Sequence, residues 1–322
     1  MTMPFGPKST ADQVLAGVNL GGKRVLITGT SAGIGLETAR ALSAHGAAVV
    51  GTVRDPQKAR AASALTQQQA GNGGSVELVP LELASLASVR SCSDALLTDG
   101  KAFDVIIANA GVMACPQSTT ADGFETHIGT NHLGHFVLIN RLVPLLKPGA
   151  RVVCLSSSGH RFGDVDLSDL NFKRTPYVEF VAYGRSKTAN ILFAVEFDRR
   201  HRGRGVRATA VHPGAIKTEL GRHVTPEVAR QLASFGSASD QGSATAPFRW
   251  KTVAEGAATS AWCGLIADPE ATAARYCEDC HVAEVLPSTD HTTSWGVRAY
   301  ALDAQRAGIL WTLSEQLVGE RF

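Results

Sequence analysis

Short apolar runs alternate with longer amphipathic segments through the first part of the chain. The runs have the length of buried strands, and the segments between them repeat apolar positions with helical spacing. Strands that alternate with helices require crossover connections, which give a parallel sheet covered on both faces. We therefore predict a doubly wound α/β fold. The predicted strands are residues 24–28, 48–53, 76–83, 105–108, 151–155 and 208–211, and the predicted helices are residues 34–45, 85–97, 125–146 and 183–200.

The last hundred or so residues have a different pattern. Residues 223–250 are rich in Ala, Ser and Gly with weak periodicity, which indicates an insertion rather than a second core. Helices are predicted at residues 252–266 and 301–318, with polar turns at residues 278–295. No linker leads into an independent apolar core, so we expect one domain. Its expected parts are an N-terminal extension (about residues 1–20), a core (residues 20–220), and a substrate loop with a C-terminal extension (residues 219–322).

Composition and charge limit the partners of the chain. Its 322 residues are 44% hydrophobic and 19% charged, which is ordinary for a globular protein. A formal net charge of +2 leaves no basic excess for phosphates, which argues against nucleic-acid or membrane-surface binding. The basic run at residues 199–207 ends a predicted helix, where cations complement the helix dipole. No stretch is typical of a signal peptide or a membrane span, so we expect a cytoplasmic location.

Six cysteines are scattered through mostly apolar segments, as is usual in a reducing compartment. Cys277 and Cys280 form a lone CxxC pair, without the second pair or the histidines of a zinc site. A structural role is favoured for them over redox or metal chemistry. We predict no metal site.

A glycine cluster follows the first predicted strand. Gly29, Gly33 and Gly35 lie directly before the predicted helix. Glycines let the backbone approach a diphosphate closely, and the helix N-terminus adds free N–H groups and a positive dipole end. Strand-to-helix turns also use glycine for purely structural reasons, but the position after the first strand favours dinucleotide binding.

Tyr183 and Lys187 are four residues apart on a predicted helix, so their side chains share one face. Hydride transfer to a carbonyl leaves an alkoxide that needs a proton, and a phenol with a pKa near ~10 exchanges protons poorly at neutral pH. A nearby ammonium favours the phenolate, so we expect Lys187 to lower the pKa of Tyr183. The alternative is an amphipathic helix without chemistry. Ser157 follows the strand at 151–155 and therefore belongs to the carboxyl edge of the sheet, where ligands bind in open α/β folds.

These motifs, taken in chain order, resemble those of the short-chain dehydrogenase/reductase family. The resemblance spans about residues 20–220 and implies a Rossmann-type fold and an oxidoreductase. The segments TNHLGHF and YGRSKTANILF are most similar to the branch of the family that contains retinol dehydrogenases and the WW-domain oxidoreductase. The matching segments are TGxxxGxG at residues 28–35, Asn109-Ala110-Gly111, Asn131 in TNHLGHF, Ser157 in LSSSGH, Tyr183 and Lys187 in YGRSK, and Pro213-Gly214 with Thr218 in HPGAIKT.

The resemblance implies roles for individual residues. Tyr183 is the expected general acid and base, and Ser157 is expected to polarise the substrate oxygen, although the serines on either side of it remain alternatives. Lys187 is expected to hold the nicotinamide ribose, and Asn131 to anchor a water that relays protons to Lys187; for Asn131, helix-internal hydrogen bonding is the alternative. The expected cofactor contacts are Gly29, Ser31, Gly33, Ile34, Gly35, Arg54, Glu82, Leu83, Asn109, Ala110, Gly111, Tyr183, Lys187, Pro213, Gly214, Ile216 and Thr218. The neighbouring His132, His135 and His160 are interpreted as packing residues.

The end of the second strand bears on the choice of cofactor. Arg54 offers a planar fork of donors to a 2′-phosphate, which favours NADP(H). Asp55 follows it and is suited to a ribose 2′-hydroxyl, so NAD(H) remains open. Glu82 occupies the place near the adenine amine where the family usually has aspartate, and its longer side chain changes that contact.

The predicted function is hydride transfer between NAD(P)(H) and a hydrophobic secondary alcohol, ketone or aldehyde. A nucleotide-binding regulator without turnover is disfavoured by the complete catalytic set. A nucleotide-sugar epimerase or dehydratase is disfavoured by the glycine loop at residues 28–35. The corresponding loop of those enzymes has the pattern TGxxGxxG, whereas this chain has TGxxxGxG. An apolar substrate pocket is inferred from Leu220, Val224, Leu232, Phe235 and Phe248.

The resemblance also predicts assembly. The family commonly pairs subunits through the helices that carry Asn131 and Tyr183, and closed two-fold symmetry is the usual solution for soluble oligomers. We therefore expect a homodimer or a homotetramer.

Overall fold

The computed structural model of the chain describes residues 5–226, 249–290, 293 and 295–322. Within them, one long sheet and a two-stranded one are formed by β1 (Arg24–Thr28), β2 (Ala48–Val53), β3 (Ser75–Pro80), β4 (Phe103–Ala108), β5 (Leu146–Leu155), β6 (Arg207–His212), β7 (Tyr276–Glu278), β8 (His281–Val282), β9 (Val285–Leu286) and β10 (Val297–Arg298). The long sheet has the order β3-β2-β1-β4-β5-β6-β7-β8. Its strands are parallel except for the last pair, β7 with β8.

Helices cover both faces of this sheet. They are α1 (Ala11–Val14), α2 (Gly33–Ala44), α3 (Pro56–Gln68), α4 (Leu86–Asp99), α5 (Gly134–Arg141), α6 (Glu179–His201), α7 (Val253–Ala261), α8 (Pro269–Thr272) and α9 (Ala304–Val318). Two π-helical segments, Ile128–Leu133 and Trp262–Ile266, directly precede α5 and follow α7. Helices α1, α2 and α7 pack on one face, and α4, α5, α6 and α9 pack on the other.

Alternate residues of each central strand line two separate cores. Leu26 of β1 and Ile106 of β4 belong to the core under α4, α5, α6 and α9, whereas their neighbours Val25 and Val105 belong to the core under α1, α2 and α7. Side chains on a strand point alternately to the two faces, so a strand buried on both faces must be apolar throughout. This is why the strands are visible in the sequence as continuous apolar runs.

The doubly wound parallel sheet predicted from the sequence is confirmed, with differences in detail. The predicted helix at 125–146 is wrong at its C-terminal end: α5 stops at Arg141, a 3₁₀ turn containing Pro144 follows, and Leu146 already belongs to β5. Proline lacks an N–H group and ends helices in this way. The predicted strand at 76–83 ends at Pro80 instead. Helices α3 and α8 and the short strands β7 to β10 were not predicted, and β8 and β9 lie in the segment predicted as polar turns.

The C-terminal part of the chain packs against the body of the fold. Trp311 of α9 makes edge-to-face contact with Phe136 of α5 at 5.0 Å and stacks on Phe193 of α6 at 5.9 Å between ring centroids. Arg200 lies over the Trp311 ring at 4.2 Å. Helix α9 therefore covers α5 and α6. Among the described residues, no helix combines the length and the apolar character that crossing a membrane requires.

Candidate active site

The predicted site residues converge on one edge of the sheet. Because β1 to β6 are parallel, the loops that follow them all leave at their carboxyl ends. Strand order reverses between β1 and β4, which is the place where open α/β sheets bind ligands. The loops after β1, β2, β3, β4, β5 and β6 carry, in that order, Gly29, Arg54, Glu82, Asn109, Ser157 and Pro213.

The loop after β1 forms a cradle that only glycine can build. Gly29 has φ +74°, and a Cβ there would lie 2.8 Å from the Ala110 Cβ. A Cβ on Gly35 would overlap the Gly29 carbonyl oxygen. Helix α2 begins at Gly33 with no side-chain hydrogen bond capping its N-terminus, so its first N–H groups face the loop. An open backbone cradle at a helix N-terminus fits the diphosphate of a dinucleotide. Ser31 and Ile34 lie within this loop and first turn.

Hydrogen bonds lock the crevice between β1 and β4. Asn109 Nδ2 donates to the carbonyl oxygens of Thr28 at 2.8 Å and Gly29 at 3.3 Å. The Ala110 N–H donates to the Thr28 hydroxyl at 3.0 Å, and that hydroxyl is 2.8 Å from His135 Nε2. The NAG segment therefore fixes the cradle through Thr28, which the sequence analysis placed in the glycine motif without assigning a role to its side chain.

Tyr183 and Lys187 lie on one buried face of α6, next to Ser157. Each of the two is only 4% exposed. The Ser157 hydroxyl accepts the Gly159 N–H at 3.0 Å. A Cβ on Gly159 would lie 3.3 Å from Ser157 Oγ and 2.8 Å from Tyr183 Cε1, so the hydroxyl and the phenol ring are neighbours. Lys187 Nζ donates to the Leu155 carbonyl at 3.1 Å and lies 5.7 Å from the centroid of the Tyr183 ring. The sequence-predicted trio is thus brought together at the end of β5.

The two serines beside Ser157 have other partners. The Ser156 hydroxyl is buried and donates to the Lys187 carbonyl oxygen at 2.9 Å. The Ser158 N–H donates to His212 Nδ1 at 3.2 Å. The Ser157 hydroxyl, by contrast, lies beside the Tyr183 ring around Gly159.

Burial dominates the electrostatics of this trio. It raises the pKa of Tyr183 to about 12, although the neighbouring Ser157 side chain acts in the opposite direction. Burial also lowers the pKa of Lys187 to about 8, with the Cys154 thiol opposing it. The expectation that Lys187 lowers the pKa of the phenol is not met by the protein groups alone. The cost of burying a phenolate exceeds the help that these neighbours give it.

Asn131 holds the loop after β4. It lies in the π-helix Ile128–Leu133, where its Oδ1 accepts the Val112 N–H at 2.8 Å. Its Nδ2 donates to the Val112 carbonyl at 3.0 Å and to the Ser186 hydroxyl at 2.9 Å. Its own carbonyl oxygen is 3.0 Å from His135 Nδ1. The Asn131 side chain thus bridges the loop after β4 and helix α6 and does not bond within its own helix. The partner of its carbonyl, His135, is four residues further along the chain, a spacing that is visible in the sequence.

Asp55 accepts hydrogen bonds from its own chain, whereas the neighbouring Arg54 is exposed to solvent. Arg54 is exposed at the end of β2. Asp55 Oδ1 accepts the N–H groups of Gln57 at 3.0 Å and Lys58 at 3.2 Å, which caps the start of α3. The carboxylate of Asp55 is therefore already used by the helix, whereas the guanidinium of Arg54 faces solvent.

The remaining predicted contacts lie along the same edge. Glu82 turns its carboxylate back, and its Oε1 accepts the Ala84 N–H at 3.1 Å. Leu83 is 5% exposed and packs against Gly134 at the start of α5. Gly111 lies beside Asn131, because a Cβ on it would be 3.0 Å from Oδ1 of that residue.

The segment after β6 is held from the other side by the chain that returns at Lys251. The Lys251 N–H donates to the Ala215 carbonyl oxygen at 2.9 Å, and its side chain passes over Gly214, which has φ +100°. The Thr218 methyl group would lie 3.3 Å from a Cβ on Gly33. Residues 213–218 therefore close the cradle opposite Asn109.

A parallel sheet with a glycine cradle at its switch point, and a buried Ser-Tyr-Lys trio beside it, defines a dinucleotide-binding α/β protein. The family model described as short chain dehydrogenase matches residues 23–229. The chain is 39% identical to retinol dehydrogenase 14 of Mus musculus over 310 residues, covering 92% of this chain and 86% of the relative. It is 40% identical over 300 residues to a protein of Streptomyces lividans named as an oxidoreductase, covering 91% and 97%.

Solved structures agree. An uncharacterized protein from Mycobacterium paratuberculosis is 34% identical, with a TM-score of 0.71 and coverage of 94% of this chain and 96% of that one. The angucycline C-6 ketoreductase LanV with bound NADP shares the fold at 24% identity, with a TM-score of 0.62 and coverage of 81% and 95%. The chain belongs to the short-chain dehydrogenase family. It is accordingly an NAD(P)-dependent oxidoreductase acting on CH–OH groups.

Proposed function

We propose that the chain transfers a hydride between NADP(H) and a hydrophobic secondary alcohol, ketone or aldehyde, with Tyr183 as the acid and base. The observation that carries this proposal is that the Ser157 hydroxyl and the Tyr183 ring lie side by side around Gly159 at the end of β5, near the glycine cradle. That arrangement puts two hydroxyl groups next to the place where a nicotinamide would lie.

Each protein group has a separate task. The nicotinamide, when bound, supplies or accepts the hydride. Ser157 donates a hydrogen bond to the substrate oxygen, and Tyr183 gives that oxygen a proton in reduction or takes one in oxidation. Lys187, whose charge is buried 3.1 Å from the Leu155 carbonyl, stabilises the phenolate once substrate and cofactor exclude water. Asn131 keeps the loop at Val112 in place beside Lys187.

Cofactor preference follows from the end of β2. Asp55 is engaged in capping α3, which leaves Arg54 as the group that can meet the ribose substituent. A guanidinium recognises a phosphate with two parallel hydrogen bonds, so NADP(H) is preferred over NAD(H).

Replacing Arg54 tests that preference. We expect Arg54→Ala to raise the Kd of NADP(H) roughly 10-fold or more, since a charge-assisted hydrogen-bonded pair is removed, and to leave NAD(H) almost unchanged. Titration of both cofactors by protein fluorescence measures this. Arg202→Ala is the control, because this exposed arginine precedes β6 at the opposite edge of the sheet. Equal losses for the two cofactors would show that Arg54 does not read the phosphate.

An apolar wall beside the phenol supports a hydrophobic substrate. Ala114 and Phe180 are buried against Tyr183, and Phe162 packs edge-to-face on Phe180 at 5.9 Å. Val224 also contacts this group. Of the other residues inferred from the sequence, Leu220 is half-buried, while Leu232, Phe235 and Phe248 lie outside the described residues. The relative from Mus musculus is named retinol dehydrogenase 14, and retinol is a hydrophobic alcohol.

Phe162→Ala tests the wall. Removing the ring takes away apolar contact area worth about 1.5–3 kcal/mol when fully buried, so KM for a bulky apolar aldehyde should rise about 10-fold or more. KM for acetone or another small ketone should change little, because such a substrate does not reach the wall. Initial-rate kinetics with both substrates at saturating NADPH give the comparison. A parallel rise for both would remove Phe162 from the substrate pocket.

Assembly, location and domain limits remain predictions. Helix α9 packs on α5 and α6 through Trp311, so it occupies part of the helices expected to pair subunits, and a homodimer or homotetramer stays a prediction. A cytoplasmic location and a single domain with parts at 1–20, 20–220 and 219–322 are retained as expectations. Light scattering gives the mass directly.

A further inference from the structure

A buried acid–imidazole pair lies between β4 and the π-helix that carries Asn131. Glu125 is 2% exposed and His127 is fully buried. Glu125 Oε1 is 2.8 Å from His127 Nδ1 and accepts the His127 N–H at 2.9 Å, and Oε2 accepts the Ile128 N–H at 2.8 Å. Burying a carboxylate is costly unless its oxygens are well paired, and these are. None of the proposed catalytic steps uses this pair.

The pair holds the loop after β4 by its main chain. The Cys115 N–H donates to His127 Nε2 at 3.1 Å. The Tyr177 hydroxyl is 2.9 Å from the Cys115 carbonyl oxygen and 3.2 Å from Glu125 Oε1. Both polar groups of the Cys115 backbone are therefore satisfied by side chains of this network. We call Glu125, His127 and Tyr177 the buried polar network.

The loop at residues 113–115, which this network holds, packs against the ring of Tyr183. Ala114, the residue before Cys115, has φ +53° and is 1% exposed in the cluster that contains Tyr183. A left-handed conformation is strained for alanine and persists only where surrounding contacts enforce it. The His127 ring lies edge-on to the Tyr183 ring at 6.2 Å. On the other side, a Cβ on Gly159 would be 2.8 Å from Tyr183 Cε1, so the phenol is confined from both sides.

The hydrogen bonds assign the proton of the imidazole. Since the Cys115 N–H points at Nε2, that nitrogen is an acceptor, and the ring carries its proton on Nδ1 toward Glu125. Burial acts to lower the pKa of His127, but the Cys115 and Glu125 side chains outweigh it and raise that pKa to about 9, which favours the charged ring. The direction of the Cys115 N–H favours the neutral ring, and we follow this hydrogen bond because it is a direct geometric contact. A second proton would place two donors face to face at Nε2, so the geometry corresponds to the neutral form.

We propose that the buried polar network is a positioning unit: it holds residues 113–115 in their strained conformation and thereby fixes the Tyr183 phenol for proton transfer. The inference rests on the proposed role of Tyr183. It names three positioning residues that touch neither substrate nor cofactor and act through the orientation of one ring. A misplacement of about 1 Å in a reacting group costs roughly 100-fold in rate.

The variants are chosen to separate positioning from general stability. His127→Leu removes both hydrogen bonds of the ring, whereas His127→Gln keeps an amide donor for Glu125 and a carbonyl acceptor for the Cys115 N–H. Glu196→Gln is the control for altering a buried polar network elsewhere, since Glu196 is 1% exposed and pairs with Arg199 and Arg200 far along α6. We expect His127→Leu to lower kcat roughly 10- to 100-fold at unchanged Kd for NADPH. His127→Gln should recover most of that loss, and Glu196→Gln should affect only thermal stability.

A double-variant cycle closes the test. If His127 acts through the phenol, adding His127→Leu to Tyr183→Phe should reduce kcat no further than Tyr183→Phe alone. Losses that multiply in the double variant, or a normal kcat in His127→Leu, would overturn the inference while Tyr183→Phe still collapses. Normal turnover in Tyr183→Phe would instead overturn the proposed function. If His127→Leu does not fold, Tyr177→Phe carries the test with the same cycle, because it deletes one hydroxyl, and an unchanged kcat there rejects the positioning unit.

Discussion

Tyr183→Phe should reduce kcat by about 10²–10⁴-fold, the usual contribution of a positioned acid or base. The change removes one oxygen and keeps the ring that packs against Ala114 and Gly159. The neighbouring Ser157 hydroxyl keeps its hydrogen bond from the Gly159 N–H at 3.0 Å when the phenol oxygen is removed. We therefore expect the fold and the Kd for NADPH to be nearly unchanged. Steady-state kinetics, together with cofactor titration, measure both quantities.

A second tyrosine supplies the control for that experiment. Tyr276 is 1% exposed on β7, and its hydroxyl has no hydrogen-bond partner among the described residues. Tyr276→Phe therefore makes the same chemical change in the core without a proposed catalytic role, and kcat should be preserved. Near-normal turnover in Tyr183→Phe with a good substrate would mean that the proton comes from another group, and the assigned roles would have to be withdrawn.

The sequence predicts the carboxyl edge of the sheet well because its signals are local. A parallel strand buried on both faces must be apolar, so β1, β2 and β6 are recognisable from short runs alone. The glycine cradle is equally local, because Gly29 needs a positive φ and Gly35 leaves no room for a Cβ. Tyr183 and Lys187 share a helix face through their spacing. Each of these predictions depends on neighbours in the chain.

Features that depend on residues far apart in the chain could not be predicted from the sequence. Strand β7 is three residues long and joins the sheet by pairing with the edge of β6. No local sequence pattern predicts such a short strand. The carboxylate of Asp55 could bind a ribose hydroxyl or cap a helix, and the sequence does not distinguish these roles. Only the folded start of α3 shows that Asp55 caps this helix. The depth of burial that raises the pKa of Tyr183 is likewise a tertiary property. His127 and Cys115, twelve positions apart, meet only in the folded chain.

The buried lysine leads to a prediction in which activity and stability change in opposite directions. Burial lowers the pKa of Lys187 from its usual value of 10.5 to about 8, so the folded state holds this proton less tightly than the unfolded state does. Below pH 8 both states are protonated and the folded state bears the full cost of the buried charge. Between about pH 8 and 10.5 the unfolded state binds more protons, so stability rises with pH until the cost disappears.

Lys187→Met should therefore stabilise the fold at neutral pH while turnover falls at least about 100-fold. The difference between the two pKa values corresponds to at most about 3 kcal/mol, and the lost hydrogen bond is not left open, because Asn190 Nδ2 also donates to the Leu155 carbonyl at 3.0 Å. Urea unfolding at pH 7 and at pH 10 should show a gain that shrinks at the higher pH, and the Kd for NADPH should rise if Lys187 also holds the ribose. Lys147→Met, which breaks an ion pair with Asp104 near the start of β5, should lower stability slightly and leave turnover intact. A Lys187→Met variant that is less stable at pH 7, or that retains its turnover, would contradict the assignment of a charge kept buried for catalysis.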